Sequence, residues 1–241
     1  MSLHLNRLLE DPRRLADYQV LAIPGGFSYG DDIAAGRILA NQLSHHLKDA
    51  LADFLSAGKP VIGVCNGFQV LVKAGLLPGN EPSGRQTCTL AHNDSGRFTD
   101  VWVHLISRSS KCIWTAGLEP LELPIAHGEG KFVPADDMVR RSLWDNDQVA
   151  LTYARADGSA EKGEFPHNPN GSIDDIAGIC DSSGLVFGLM PHPERYLAAQ
   201  QHPSWAAQSR SGLNMTETTG RGLRIFQNAV QHVVSGVGAG V

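Results

Sequence analysis

No two cysteines of this sequence stand in a C-x-x-C pair; the four, Cys65, Cys88, Cys112 and Cys180, lie far apart. That spacing argues against a zinc site and against the disulfide framework of a small secreted domain. Long apolar runs are missing too: none approaches the roughly 18 residues of a membrane span. Lys and Arg form no cluster and the formal net charge is −5, so nothing favours a nucleic-acid backbone or an anionic membrane surface as partner. The opening Met-Ser-Leu-His-Leu-Asn-Arg lacks the charged patch and apolar core of a signal peptide. The cytoplasm is the expected compartment. His45, His46, His92, His104, His127, His167 and His202 show no ligand spacing such as H-E-x-x-H, so no metal is expected and most of these read as surface or loop residues. What is present, 241 residues with 42% hydrophobic and 19% charged, suits one globular α/β domain over residues 1–241.

Val20 to Ile23 is a short apolar run ending at Pro24-Gly25-Gly26, the pattern of a buried strand running into a loop. Asp31 or Asp32 then caps a predicted helix through Ile38, Leu39, Leu43, Leu47, Leu51 and Leu55, stopped by Gly58 and Pro60. Val61 to Val64 repeats the strand pattern, and a helix follows from about Phe68 to Gly75. Strand, helix, strand, helix at this spacing implies βαβ units and a parallel sheet. Further on, the periodicity changes to alternation over Val101 to Ile106 and Leu121 to Ile125, with more strands at Gln148 to Ala154 and Ile176 to Cys180. Asp181 to Gly184 reads as a hairpin turn into Leu185 to Met190. The expected class is α/β: an open, mostly parallel sheet flanked by helices, with added antiparallel strands. Phe165 to Ser172 is a polar loop, Pro203 to Arg221 a mobile loop, and Leu223, Phe226, Val230 and Val233 mark one face of a closing helix.

Gly63-Val64-Cys65-Asn66-Gly67, between a strand and a helix, has the nucleophile-elbow pattern with cysteine in place of serine. A tight turn lifts the thiol clear of the backbone. Small residues two positions either side let strand and helix approach, and the helix N-terminus favours thiolate. A buried cysteine in an ordinary strand-to-helix turn fits the same five residues. Pro191-His192-Pro193-Glu194 follows another strand. The prolines keep it extended, so residues two apart point the same way and Glu194 can hold one imidazole nitrogen of His192 while the other faces a nucleophile. Alone, this spacing also fits a structural histidine. Together, at strand C-termini that a parallel sheet gathers along one edge, Cys65, His192 and Glu194 form a candidate triad. Pro24 to Asp32 is glycine-rich but lacks the residues of a phosphate loop. It reads better as an oxyanion hole, with Gly25 and Gly26 supplying backbone N–H groups alongside that of Asn66.

The elbow G-V-C-N-G-F-Q, the P-H-P-E and the strand-ending P-G-G together resemble the class I, triad-type glutamine amidotransferases, which have a flavodoxin-like fold. More narrowly, P-G-G-F-S-Y-G-D-D, T-L-A-H-N-D-S-G-R-F at Thr89 to Phe98 and I-A-H-G-E-G-K-F at Ile125 to Phe132 resemble the glutaminase subunit of phosphoribosylformylglycinamidine synthase. The resemblance spans about Leu3 to Leu197 and returns at Gly222 to Val230. It implies that Cys65 attacks glutamine, His192 protonates the leaving ammonia and Glu194 holds His192, with Gln69, Asn93 and Ser95 lining or supporting the glutamine pocket. It also implies that ammonia passes to a large synthetase subunit, completed by a small third subunit, which converts formylglycinamide ribonucleotide to the amidine in purine biosynthesis. ATP and Mg would bind that partner, leaving this chain without a cofactor. Family members begin with an additional strand and helix carrying a G-T-N-C-D-like stretch. That βα unit, on the order of 30 residues, is absent ahead of Met1, as expected of a mis-assigned start or a truncated form. The alternatives left open are a catalytically weak docking subunit, an amidotransferase serving another synthetase, and a cysteine hydrolase unrelated to glutamine.

Overall fold

The computed structural model describes residues 2–26, 36–79, 86–159, 163–210 and 219–237. A short helix α1 (Leu5–Glu10) and a 3-10 turn over Pro12–Asp17 lead into strand β1 (Leu21–Ile23). Helices α2 (Arg37–His46) and α3 (Lys48–Ser56) precede β2 (Val61–Val64), and α4 (Asn66–Lys73) follows it directly. The expected single helix over these leucines is thus two. The Ser44 hydroxyl donates back to the Ala40 carbonyl at 2.9 Å, a contact that bends helices, and Leu47 leaves helical geometry to bury itself in the core. Gly36, in the left-handed region, stands at the α2 N-terminus; the expected caps Asp31 and Asp32 lie outside the described residues.

The second half supplies β3 (Cys88–Ala91), β4 (Thr99–Ser107), β5 (Leu121–His127), β6 (Lys131–Pro134), α5 (Asp137–Asp145), β7 (Val149–Ala154), β8 (Ile176–Cys180), β9 (Val186–Leu189), α6 (Trp205–Arg210) and α7 (Leu223–Val237). The main sheet has seven strands in the order β1-β2-β9-β8-β7-β4-β5, and β3 pairs with β6 in a separate two-stranded sheet. β1, β2 and β9 run parallel. From β9 outward every pairing is antiparallel. The α/β class with added antiparallel strands is therefore as expected, but the sheet is mixed rather than mostly parallel, because short connections such as Asp181 to Gly184 can join only antiparallel neighbours.

The core lies against both faces of the sheet, with Phe68, Val70 and Leu71 of α4 and Leu105, Leu123, Ile125, Ile179 and Phe187 of the strands all buried. Two expectations need correction. Pro203 to Arg221 is not simply a loop, since α6 occupies Trp205–Arg210; residues 211–218 lie outside the described residues. The inward face of α7 is Ile225, Asn228 and Ala229, while Val230 is 58% exposed. Asn228 Nδ2 donates to the carbonyls of Trp114 and Ala116 at 3.0 and 2.9 Å, and those bonds set the rotation of the helix. Among the described residues no helix is long and apolar enough to cross a membrane.

Candidate active site

Cys65 directly follows β2 and stands immediately before α4, with φ 52° and ψ −107°. Positive φ is costly for any residue with a Cβ, so a position held there is over-determined by its surroundings. The flanking glycines show how. A Cβ on Gly63 would lie 2.5 Å from the Gly67 carbonyl oxygen, and one on Gly67 would lie 2.0 Å from the Ile23 carbonyl oxygen of β1. Only bare backbone lets β1, β2 and α4 approach this closely. Phe68 N–H and Gln69 N–H both bond to the Cys65 carbonyl, at 3.0 and 3.2 Å, which tightens the first turn of α4 beneath the thiol.

β2 and β9 are adjacent and parallel, with Val64 opposite Leu189, so the segment after β9 emerges beside the elbow. There His192 is 3% exposed and its Nδ1 lies 2.6 Å from Glu194 Oε1. A carboxylate only accepts, so Nδ1 carries the hydrogen and Nε2 of the neutral ring is a lone pair. The route differs from the expected extended segment: Pro193–Arg195 is a 3-10 turn, and that turn swings Glu194 back under the ring. A Cβ on Gly25 would meet His192 Cε1 at 2.9 Å and Cys65 Cβ at 3.3 Å, so both side chains converge over Gly25. Gly26 has φ 103° with nothing near its Cβ position, which makes backbone conformation the reason for glycine. Phe27 to Asp32, the rest of that motif, lie outside the described residues. Asn66 opens α4, so its backbone N–H stands at the helix N-terminus directly after Cys65.

The sheet order alone would leave β5 far from β2. The sheet curls, however: His192 N–H donates to the Pro124 carbonyl at 2.8 Å, and the Cys65 thiol donates to the Ala126 carbonyl at 3.9 Å. The end of β5 and residues 128–130 thereby become a wall of the site. Gln69 Nε2 donates to the Glu129 carbonyl at 2.8 Å while its Oε1 accepts from Asn66 Nδ2 at 3.1 Å. Asn93 is buried and donates through Nδ2 to the carbonyls of His127 and Arg97 at 2.9 and 3.0 Å. Gln69 and Asn93 thus brace that wall. Ser95 sits exposed in the turn after Asn93, its hydroxyl bonded to Arg97, and the structure does not bring it to Cys65 or His192.

One residue of this wall was not anticipated. His127, one of seven histidines of which most read as surface or loop residues, is 4% exposed at the end of β5. Its Nδ1 lies 3.1 Å from Asn93 Oδ1, and burial, reinforced by neighbouring His192, lowers its pKa to about 4. Among the described residues its Nε2, like that of His192, is buried without a hydrogen-bond partner. The signal in the sequence was the following Gly128-Glu129-Gly130: a Cβ on Gly130 would fall 2.2 Å from His127 Cε1, so the glycine exists to seat the imidazole. By contrast, burial pushes the Cys88 thiol up to about 12, far from nucleophilic use. Among the described residues no cluster of His, Cys, Asp and Glu could hold a metal ion. A surface cavity of about 520 Å³ is lined by residues including Arg108, Arg140, Trp144 and Asp174. Two of its cations are engaged internally, Arg140 with Asp174 and Arg108 with the Thr152 hydroxyl, and none of Cys65, His192, Glu194, Gln69, Asn93 and His127 lines it.

The family model described as the CobB/CobQ-like glutamine amidotransferase domain matches residues 1–233. The PurQ subunit of phosphoribosylformylglycinamidine synthase from Dehalococcoides mccartyi is 45% identical over 229 residues, covering 95% of this chain and 85% of the relative. The PurQ subunit of Treponema denticola is 44% identical, covering 87% and 83%. Among solved structures, PurLQS from Thermotoga maritima matches with a TM-score of 0.63 at 30% identity, covering 90% of this chain and 81% of that one. The glutaminase domain of Trypanosoma brucei CTPS shares the fold, with a TM-score of 0.50 at 13% identity. The chain belongs to the CobB/CobQ-like glutamine amidotransferase family and, within it, to the PurQ subunits of phosphoribosylformylglycinamidine synthase.

Proposed function

We propose that this chain hydrolyses glutamine in the cytoplasm through Cys65, His192 and Glu194. It hands the ammonia to a large synthetase subunit that converts formylglycinamide ribonucleotide to formylglycinamidine ribonucleotide, in a complex completed by a small third subunit. The observation that supports the chemistry is the 2.6 Å contact between His192 Nδ1 and Glu194, which leaves the buried Nε2 of the neutral ring as an acceptor at the strand edge it shares with Cys65, itself held at positive φ. Nε2 takes the thiol proton, and Sγ forms a bond to the carboxamide carbon. The oxyanion is held by backbone N–H groups at Gly25, Gly26 and Asn66. The imidazolium returns the proton to nitrogen, the C–N bond breaks, and ammonia leaves a γ-glutamyl thioester. Water deprotonated by Nε2 then displaces Sγ and releases glutamate. Glu194 stabilises the imidazolium throughout. Gln69 and Asn93 hold the wall at residues 127–130. ATP and Mg belong to the synthetase, and this chain needs no cofactor of its own.

The test is synthesis by this chain mixed with its cognate synthetase, with and without Cys65→Ala. Glutamine-dependent synthesis should vanish in the variant while ammonia-dependent synthesis by the complex persists. Loss of both would make Cys65 structural and sink the mechanism.

A further inference from the structure

His127 poses a problem that the triad leaves unsolved. A buried polar atom without a partner costs free energy, and native structures keep few of them. The chemical state of this one follows from its neighbours. Asn93 Nδ2 donates to two carbonyls, at His127 and Arg97, so the amide orientation is fixed. Its Oδ1 already accepts the Gly130 N–H at 3.2 Å and can offer His127 Nδ1 only a lone pair. The hydrogen of the neutral imidazole therefore sits on Nδ1, and Nε2 is a bare acceptor. His192 Nε2 is in the same condition, for the parallel reason that Glu194 fixes its Nδ1–H.

The surroundings place this second acceptor at the same site. The carbonyl of the preceding residue, Ala126, takes the Cys65 thiol hydrogen bond, and the segment after it is pinned to the elbow helix by Gln69. Two bare imidazole nitrogens in neighbouring residues of this site suit a ligand group rich in N–H and poor in lone pairs. Of the groups on glutamine that approach Sγ, the carboxamide –NH2 fits that description and the oxygen does not.

We propose that His127 Nε2 accepts a hydrogen bond from the carboxamide nitrogen of glutamine. The bond orients that nitrogen so that its lone pair meets the proton delivered by His192 as the C–N bond breaks. His127 is then a specificity residue for amides, selecting a leaving group that carries hydrogen. The proposal rests on the glutaminase reading above, and its consequence is separable from it.

The experiment compares glutamate release from glutamine and from glutamate γ-methyl ester by this chain in the presence of its synthetase. The ester shares the α-amino and α-carboxyl groups and the reacting carbonyl, but its leaving group has no N–H. His127→Asn keeps an amide near the Asn93 contact and deletes the Nε2 acceptor. The preference for glutamine over ester, as a ratio of kcat/KM values, should fall roughly tenfold to a hundredfold. His127→Gln, whose amide oxygen reaches the Nε2 position, should restore most of that ratio. Because the result is a ratio within one preparation, partial loss of fold cancels. Equal losses on both substrates would overturn the proposal, assigning His127 to packing or to the shared α-amino group, and would leave the glutaminase reading standing. Wild-type chain that cleaves the ester but never glutamine would remove the glutaminase reading itself.

Discussion

The buried state of His127 has a consequence for stability that needs no substrate. Its ring titrates at about 4 in the folded chain, against an ordinary value of 6.5. Burial opposes the charged form, and the nearby His192 adds to that. The fold therefore favours neutral His127. Above the ordinary value both folded and unfolded chains hold it neutral, and no penalty arises. As the pH falls through that value, the unfolded chain takes up a proton that the folded chain refuses, so stability is lost progressively until the folded ring also titrates. At 1.36 kcal/mol per unit the whole window is worth about 3 kcal/mol, of which about 2 kcal/mol is gone by about pH 5. Urea unfolding of wild type and His127→Asn at about pH 7 and about pH 5 isolates the effect, because other titrating groups contribute alike to both proteins. The wild type should lose about 2 kcal/mol more than the variant between the two conditions. Equal losses would refute the argument, and would mean that the ring can be protonated in the fold, opened to water or paired with an acceptor.

Glu194→Gln should lower the rate of glutamine hydrolysis roughly tenfold to a thousandfold, less than loss of a fully buried triad carboxylate, because Glu194 is 42% exposed. A near-normal rate in a steady-state glutaminase assay would remove Glu194 from the mechanism. Gly67→Ala should destabilise the chain by about 2–3 kcal/mol, because the new methyl would lie 2.0 Å from the Ile23 carbonyl oxygen, a backbone atom. An unchanged urea midpoint would show that β1 and α4 can separate at no cost.

What the sequence made legible was what is contiguous and periodic. The elbow could be read because five consecutive residues carry its geometry, and the two glycines sit where bare backbone is needed. β2 and β9 announce themselves as apolar runs, so the convergence of Cys65 and His192 along one edge followed from parallel pairing. The short β3 and β6 did not announce themselves: each is four residues long, too short for alternation to stand out. The α2–α3 break and the rotation of α7 depended on single polar bonds, from Ser44 and Asn228, which hydrophobic periodicity cannot register. The Pro-His-Pro-Glu segment gave the right contact by the wrong route, since proline is as compatible with the first turn of a 3-10 helix as with extended chain.

His127 was missed for a deeper reason. A histidine at the end of a strand has no distinguishing spacing, and its role depends on a partner 34 residues away in sequence. Asn93 decides which nitrogen holds the hydrogen, burial decides that there is only one, and the curl of the sheet brings the end of β5 beside the cysteine. Each is a tertiary fact. The layout of the site follows the division of the sheet: the parallel half, β1, β2 and β9, carries Cys65 and leads into His192, the proposed nucleophile and base, while the antiparallel half supplies the wall that holds His127. Pairing on the parallel side fixes Cys65 through hydrogen bonds such as Cys65 N–H to the Leu189 carbonyl at 2.8 Å. The opposing wall is held through side-chain amides, Gln69 and Asn93. A site built this way has a half held by strand pairing and a half whose position depends on a few polar contacts, and the leaving-group selection proposed for His127 falls to the second.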